Sequence, residues 1–337
     1  MGSALLMLVI VLGLTTLILQ LLPSNYYLLM PGQAIPVEGL IQVKGHPRQS
    51  YEGNLYMTDV SLYKVNHKLE ELYGRLTPGA DLEPAKPFSG GLSYNQYMLL
   101  NTELMDNSIQ AAEVAALHLV NGYKVSYANT GPEVAYIVPG TPADRVLQPN
   151  DIIKAVDGRR VQQAVQVGPL VRKLKPGQMV HLTIVRNGKT LPVSARTIAS
   201  ENGVPNSNGH TPLLGILVEN RLKTPVNIKI SPGDIGGPSA GMMFALGIIQ
   251  RLEGHDIMHG CAVAGTGTID AAGTVGAIGG ARQKVIAARA AGAKYFLVPD
   301  FPGNVGPARS AAQGITVVPV KTLRQALSYL NHLKPCK

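Results

Sequence analysis

The chain opens on 19 consecutive uncharged positions, Ala4 to Leu22, close to the ~20 apolar residues with which a helix crosses a bilayer. Beyond them the apolar positions break into shorter periods. Gly53 to Val65 alternates like a strand, 76–93 is a Pro/Gly-rich loop, and Asn107 to Val120 has the spacing of a helix. From about 117 to 199 the pattern is one of short strands and turns with one helix. Pro139-Gly140-Thr141-Pro142 opens a short helix, Asn150 to Gly158 is a strand closing on an Asp-Gly turn, and Val180 to Val193 is a hairpin across Asn187-Gly188. A polar stretch, 200–211, reads as a linker. After it, Gly236, Gly237 and Pro238 interrupt regular structure, and Ala240 to Leu252 is an apolar helix. His259 to Gly276 is a strand, a turn and a second strand, and Ala281 to Ala293 is another helix.

At 337 residues and 45% apolar content the chain can bury cores in two or three domains. The net charge of +9 is dispersed, with no tryptophan and only four phenylalanines, so nothing marks a nucleic-acid-binding face. Anionic lipids or cell-wall polymers are the milder partners for that charge. Residues 4–22 are expected to be an uncleaved transmembrane anchor, with Tyr26 and Tyr27 at interfacial depth. A cleaved signal peptide is the runner-up, but the basic n-region is missing and the run exceeds the usual length of about 7–15 residues. Residues 1–43 contain no Lys or Arg, which leaves orientation open. Cys261 and Cys336 do not make a disulfide framework and leave the compartment open as well.

The candidate chemistry lies in two residues 45 positions apart (284 − 239), Ser239 and Lys284. A serine hydroxyl needs a base, and the histidines show no order suggesting a Ser-His-Asp triad. A lysine shielded from water can supply the base instead. Ser239 is expected at a helix start, where backbone N–H groups after Gly236, Gly237 and Pro238 could hold an oxyanion. Lys284 falls beside the Ala281/Val285/Ala288/Gly292 stripe of its helix. Thr266 could hold the lysine amine or simply favour a strand.

The segment Pro238-Ser239-Ala240-Gly241, followed by T-G-T-I-D-A-A-G-T-V-G-A-I-G-G-A-R-Q-K at 266–284, resembles the proteolytic domain of Lon proteases over roughly Leu214 to Val320. Val134 to Val161 resembles a bacterial PDZ domain. The Y-Y-L-L-M-P-G-Q-A segment after the anchor is similar to that of membrane-anchored Lon-like peptidases of Gram-positive bacteria. The resemblance implies an α/β (α+β) chain in five parts. These are an anchor (4–22), a juxtamembrane region of unread fold (25–116), a PDZ-like domain (117–199), the linker (200–211) and a Lon-type proteolytic domain (212–334). It further implies a serine endopeptidase with a Ser239–Lys284 dyad, Thr266 beside the lysine, and a body outside the cytoplasmic membrane acting on polypeptides. A ring-like homo-oligomer is conceivable.

In such a PDZ domain, Gly122, Tyr123, Lys124 and Val125 are the expected carboxylate loop. The rival from another class is a non-catalytic PDZ scaffold at the membrane. No cofactor and no metal are expected. His255 and His259 have the H-x-x-x-H spacing but an Asp in place of the Glu, and Asn187-Gly188-Lys189-Thr190 has Thr183 where a phosphate-binding loop needs its first glycine.

Overall fold

The computed structural model describes residues 2–89, 94–120, 123, 125–199, 212–233 and 235–336. Helix α1 (Gly2–Leu21) is apolar all round and exposed along its length, and its 19-residue stretch Ser3–Leu21 is long and apolar enough to cross a membrane. The chain then forms β1 (Pro23–Pro36), β2 (Ile41–Val43), β3 (Asn54–His67), α2 (Lys68–Leu76), β4 (Asp81–Pro84), α3 (Ala85–Ser89) and α4 (Tyr94–Leu119). The Tyr27 side chain does not face outward. It is 2% exposed, with its ring 5.4 Å from that of Phe88 and 6.1 Å from that of Tyr97.

The middle of the chain contains β5 (Ser126–Ile137), β6 (Ile152–Val156), β7 (Arg159–Arg160), the short helix α5 (Val167–Val171), and the hairpin β8 (Met179–Arg186) and β9 (Lys189–Arg196). Asn187 and Gly188 turn the hairpin with φ of 49° and 77°, which is the geometry an Asn-Gly pair supplies with least strain. Next come β10 (Ile198–Ala199), β11 (Pro212–Leu213) and β12 (Ile216–Lys223). The sheet order is β12-β5-β6-β8-β9, so β12 joins this sheet across the 200–211 stretch and forms its edge. Val134, Ile153, Val180, Leu182, Ile184 and Leu214 fill its core.

The C-terminal part runs through β13 (Ile228–Ile230), α6 (Gly241–Glu253), β14 (Ala262–Gly265), β15 (Thr268–Ile269), β16 (Val275–Gly276), α7 (Ala281–Ala290), β17 (Tyr295–Pro299), α8 (Pro302–Ser310), β18 (Thr316–Val320) and α9 (Leu323–Asn331). Its main sheet has the order β18-β17-β14-β3-β1-β4. Strands β18, β17, β14 and β3 run parallel, while β1 pairs antiparallel to β3 and β4 antiparallel to β1. Both ends of the sequence therefore build one sheet, and the strands of residues 25–116 are half of it. The alternation of the strands explains the layering. Val263 and Leu297 pack with α6 on one face, and Ala264, Phe296 and Val298 pack with α7 on the other. A strand covered on both faces reads as a continuous apolar run, as Tyr295–Pro299 does.

Cys261 and Cys336 are joined in a disulfide that ties the tail after α9 to the start of β14, 75 positions away in sequence. The two-cysteine composition did not expose this bond, because only the return of the tail brings the pair together.

Candidate active site

The site is assembled where α6, α7 and β14 meet the N-terminal strands. Gly237, with φ 89° and buried, leads into a single 3-10 turn, Pro238–Ala240, that carries Ser239. A side chain at Gly237 would be strained at that φ. The α-helix starts only at Gly241, so Ser239 projects from the turn before the helix rather than from its first residue. Gly241 is needed for a close approach, since a Cβ there would lie 2.5 Å from Ser108 Oγ and 2.7 Å from Ile269 Cγ2. The same Ser108, on α4, donates to Pro238 O at 2.8 Å and holds the turn from outside.

Helix α7 places Lys284 in the protein interior, 2% exposed, with Ala281, Val285 and Ala288 around it. Its Nζ lies 2.6 Å from Ser239 Oγ and 3.1 Å from Thr266 Oγ1. Thr266, fully buried just after β14, donates its hydroxyl hydrogen to Ser239 O at 3.0 Å, and Gly267 N–H reaches the same carbonyl at 2.7 Å. Thr266 is thus a bridge that fixes the lysine and the nucleophile turn together. Burial removes water from the ammonium and lowers the Lys284 pKa to about 7, while the negative charge of Asp59 works in the opposite direction. Asp59 comes from β3 and accepts a hydrogen bond from Gln33 N–H at 2.5 Å.

A cleft of about 510 Å³ opens onto Ser239 and Lys284. Twelve of its seventeen lining residues lie between Gln33 and Met105, in the region 25–116 whose fold the sequence left unread. Ile35, Met57, Val60, Tyr97, Met105 and Ile235 give it apolar walls. Asp59 and Ser108 were missed because neither lies in a recognisable motif, although Asp59 is the acidic break in the otherwise apolar and hydroxylic run Leu55–Tyr63. Gly237 N–H, one of the expected oxyanion donors, is directed at Asn101 O of α4 at 2.6 Å. The Gly236 backbone also packs against Asn101, so α4 lies directly over the glycine pair.

Residues 211–329 match the Lon protease (S16) C-terminal proteolytic domain. The chain carries a Lon-type proteolytic domain. Residues 117–197 match the PDZ domain. The chain is 39% identical over 93 residues to the Lon protease of Citrifermentans bemidjiense, a match covering 25% of this chain and 12% of that protein. It is 38% identical over 93 residues to Lon protease 2 of Bacillus subtilis, covering 28% and 16%. It is also 33% identical over 78 residues to a probable periplasmic serine endoprotease DegP-like of Hahella chejuensis, covering 22% and 17%. The chain thus spans less than a fifth of the length of these relatives. Among solved structures, the PDZ domain of the SdrC-like protein from Listeria monocytogenes aligns at 20% identity and a TM-score of 0.24, covering 28% of this chain and 92% of that one.

Within the PDZ domain the expected carboxylate loop has a different setting. Gly122 and Lys124 lie outside the described residues, and Tyr123 and Val125 pack against the α6-side core of the Lon-type domain. A separate cavity, of about 360 Å³, lies within the PDZ domain between α5, through Val167, Gly168 and Val171, and the run Leu214 to Val218 that leads into the edge strand β12.

The two histidines of the H-x-x-x-H spacing fall in the turn after α6. There Asp256 accepts from Gly53 N–H at 2.8 Å and from Met258 and Gly260 N–H at 2.9 Å each, which gives that aspartate a loop-closing role.

Proposed function

We propose that the chain is a membrane-anchored serine endopeptidase working without ATP, in which Ser239 is the nucleophile and Lys284 the general base, and that its PDZ domain positions polypeptide substrates. The observation that carries this reading is the 2.6 Å approach of Lys284 Nζ to Ser239 Oγ in an interior that brings the lysine pKa to about 7. A lysine that is half neutral at physiological pH can accept a proton that a free lysine, with a pKa of about 10.4, cannot.

In the acylation step the neutral amine of Lys284 accepts the Ser239 Oγ–H as the oxygen attacks a peptide carbonyl in the cleft. Thr266 holds the amine on the correct side, and the ammonium so formed stays within the field of Asp59. That proton then passes to the leaving amine; water, deprotonated by the same lysine, attacks the acyl carbon, the acyl–Oγ bond breaks, and Lys284 returns the proton to Ser239 Oγ. Gly237 N–H can serve the oxyanion only once the Asn101 carbonyl has moved away.

Three further features support the finer parts of the reading. The apolar α1 suits a bilayer, and the Cys261–Cys336 disulfide suits an oxidising compartment outside the cytoplasm. Asn187 and Gly188 turn the β8/β9 hairpin while Lys189 and Thr190 pair within β9, which supports a reading without a phosphate cradle there. Strand β12, last in its sheet order and beside α5, suits an extended peptide added as a strand.

The test is hydrolysis of an unfolded polypeptide by the purified full chain, without nucleotide, compared with Ser239→Ala and Lys284→Ala. The expected outcome is turnover by the wild type and none by either variant, with the double variant no worse than the singles, because the two residues act as one unit. Turnover by Lys284→Ala at pH 7 would remove the dyad. An inert but folded wild type would favour the scaffold.

A further inference from the structure

Helix α2 carries its polarity inside out. Its sequence is K-L-E-E-L-Y-G-R-L. The side that packs on the protein holds Gly74, where a Cβ would lie 2.7 Å from Leu28 Cδ1, and Glu71, which is 6% exposed. That carboxylate is fully engaged, accepting from Lys68 Nζ at 2.7 Å, Arg75 Nη2 at 2.8 Å and Ser24 Oγ at 2.8 Å. The opposite side presents Leu72, Tyr73 and Leu76 to the outside, 42%, 60% and 74% exposed, with Tyr63 of β3 at 54%. Positions 69, 72, 73 and 76 fall on one contiguous arc of a helix with 3.6 residues per turn. A helix on a water-facing surface has the reverse arrangement.

The location of this arc identifies its partner. Lys68 N–H donates to Leu22 O at 3.0 Å, and Ser24 reaches Glu71, so α2 is fastened to the point where the chain leaves α1. Lys64, Lys68 and Arg75 flank the arc with partly or fully exposed cationic side chains of the kind that meet lipid headgroups. Leucine and tyrosine on one side and basic residues at its margins are the composition of a helix lying in a bilayer interface. We propose that α2 lies on the surface of the membrane that holds α1, with Leu72, Tyr73 and Leu76 inserted among the lipids at the headgroup boundary. This proposal rests on the membrane-anchored reading of α1.

The contact makes α1 and the protease body one rigid unit instead of a body on a tether. Strand β3 starts the ruler: it ends at His67 beside the anchor, and Asp59 of the same strand lines the cleft. The eight residue steps between them span at most about 26 Å at ~3.3 Å each. The cleft is therefore held close to the bilayer, where it meets polypeptide emerging from a membrane span or lying near the surface.

The chain has no tryptophan, so Leu76→Trp and Leu72→Trp each introduce a single tryptophan whose emission is read apart from that of the tyrosines, with Met179→Trp on β8 of the PDZ domain as the exposed control. The full chain is reconstituted into phosphatidylcholine/phosphatidylglycerol vesicles, with and without lipids brominated near the headgroup end of the acyl chain. The expected result is co-flotation of all three variants, with blue-shifted emission and strong bromine quenching for Leu76→Trp and Leu72→Trp and neither effect for Met179→Trp. Co-flotation with water-like, unquenched emission at both α2 positions would overturn the interfacial helix while leaving the anchor intact. Blue-shifted but unquenched emission would overturn it in favour of a protein cover. Failure to float would overturn both the anchor and the contact.

Discussion

Lys284 Nζ and Ser239 Oγ, 45 positions apart in sequence, stand 2.6 Å apart where α7 meets the turn before α6. The direction of the hydrogen between them depends on pH. Below the lysine's pKa the ammonium donates to Oγ and the serine is idle. Above it the amine's lone pair accepts the Oγ–H, which is the reactive arrangement. With burial setting that pKa to about 7, kcat/KM on a short fluorogenic peptide is expected to rise tenfold per pH unit below pH 7 and to level off above it. A flat profile would exclude Lys284 as the base.

Asp59 tunes the same titration. Its negative charge favours the ammonium, so Asp59→Asn, which keeps an acceptor for Gln33 N–H, should lower the Lys284 pKa further. The rising limb of the pH profile should then move to lower pH, and the variant should retain a larger fraction of its plateau rate at pH 6 than the wild type. An upward move of the limb would contradict the assigned role of Asp59.

Thr266 touches both members of the dyad, so removing its hydroxyl loosens both. Thr266→Val should reduce kcat by about 3- to 10-fold, the equivalent of one buried hydrogen bond, with little change in KM. Thr266→Ser should restore most of the rate and the wild-type pH profile. A Thr266→Ser variant as slow as Thr266→Val would show that the methyl group, and hence packing, is what matters.

The buried lysine also predicts a dependence of stability on pH. The unfolded chain holds the Lys284 proton up to about pH 10.4 and the folded chain only up to about 7. Between these values the unfolded state binds more protons, so folding stability should rise with pH by up to about 1.4 kcal/mol per unit from this group. Below pH 7 both states are protonated and the contribution is flat. Lys284→Met should remove that slope. Chemical denaturation of wild type and Lys284→Met at pH 7, 8 and 9 measures it, and equal slopes in the two proteins would count against a depressed pKa.

The groove between α5 and β12 can be filled without touching the dyad. A Cβ at Gly168 meets only the mobile end of Arg172, at 3.1 Å. Gly168→Leu should therefore project into the cavity and weaken binding of apolar C-terminal peptides at least about tenfold, the loss of about 1.4 kcal/mol. Cleavage of a short fluorogenic peptide should be unaffected. Isothermal titration and the peptide assay together check this, and unchanged peptide binding would place the ligand elsewhere.

Features governed by neighbours a few residues apart were legible from the sequence alone. The uncharged run of α1, the Asn187-Gly188 hairpin, the Gly-Gly-Pro interruption before Ser239 and the small-residue stripe around Lys284 each follow from local sterics and period. The identities of Ser239 and Lys284 as a pair came from motif resemblance over that same local sequence. Tertiary structure alone decided what depends on distant contacts. It brought β3 beside β14, where Thr58 donates to Gly265 O across 207 positions, and so turned residues 25–116 into most of the cleft wall. It bonded Cys261 to Cys336, opened a cavity between α5 and residues 214–218, and packed the Tyr27 ring inward against Phe88 and Tyr97. Most consequentially, it excluded water from Lys284. A side chain's pKa responds to every group packed around it, and those groups come from α6, α7, β3 and β14, whose meeting no local pattern encodes.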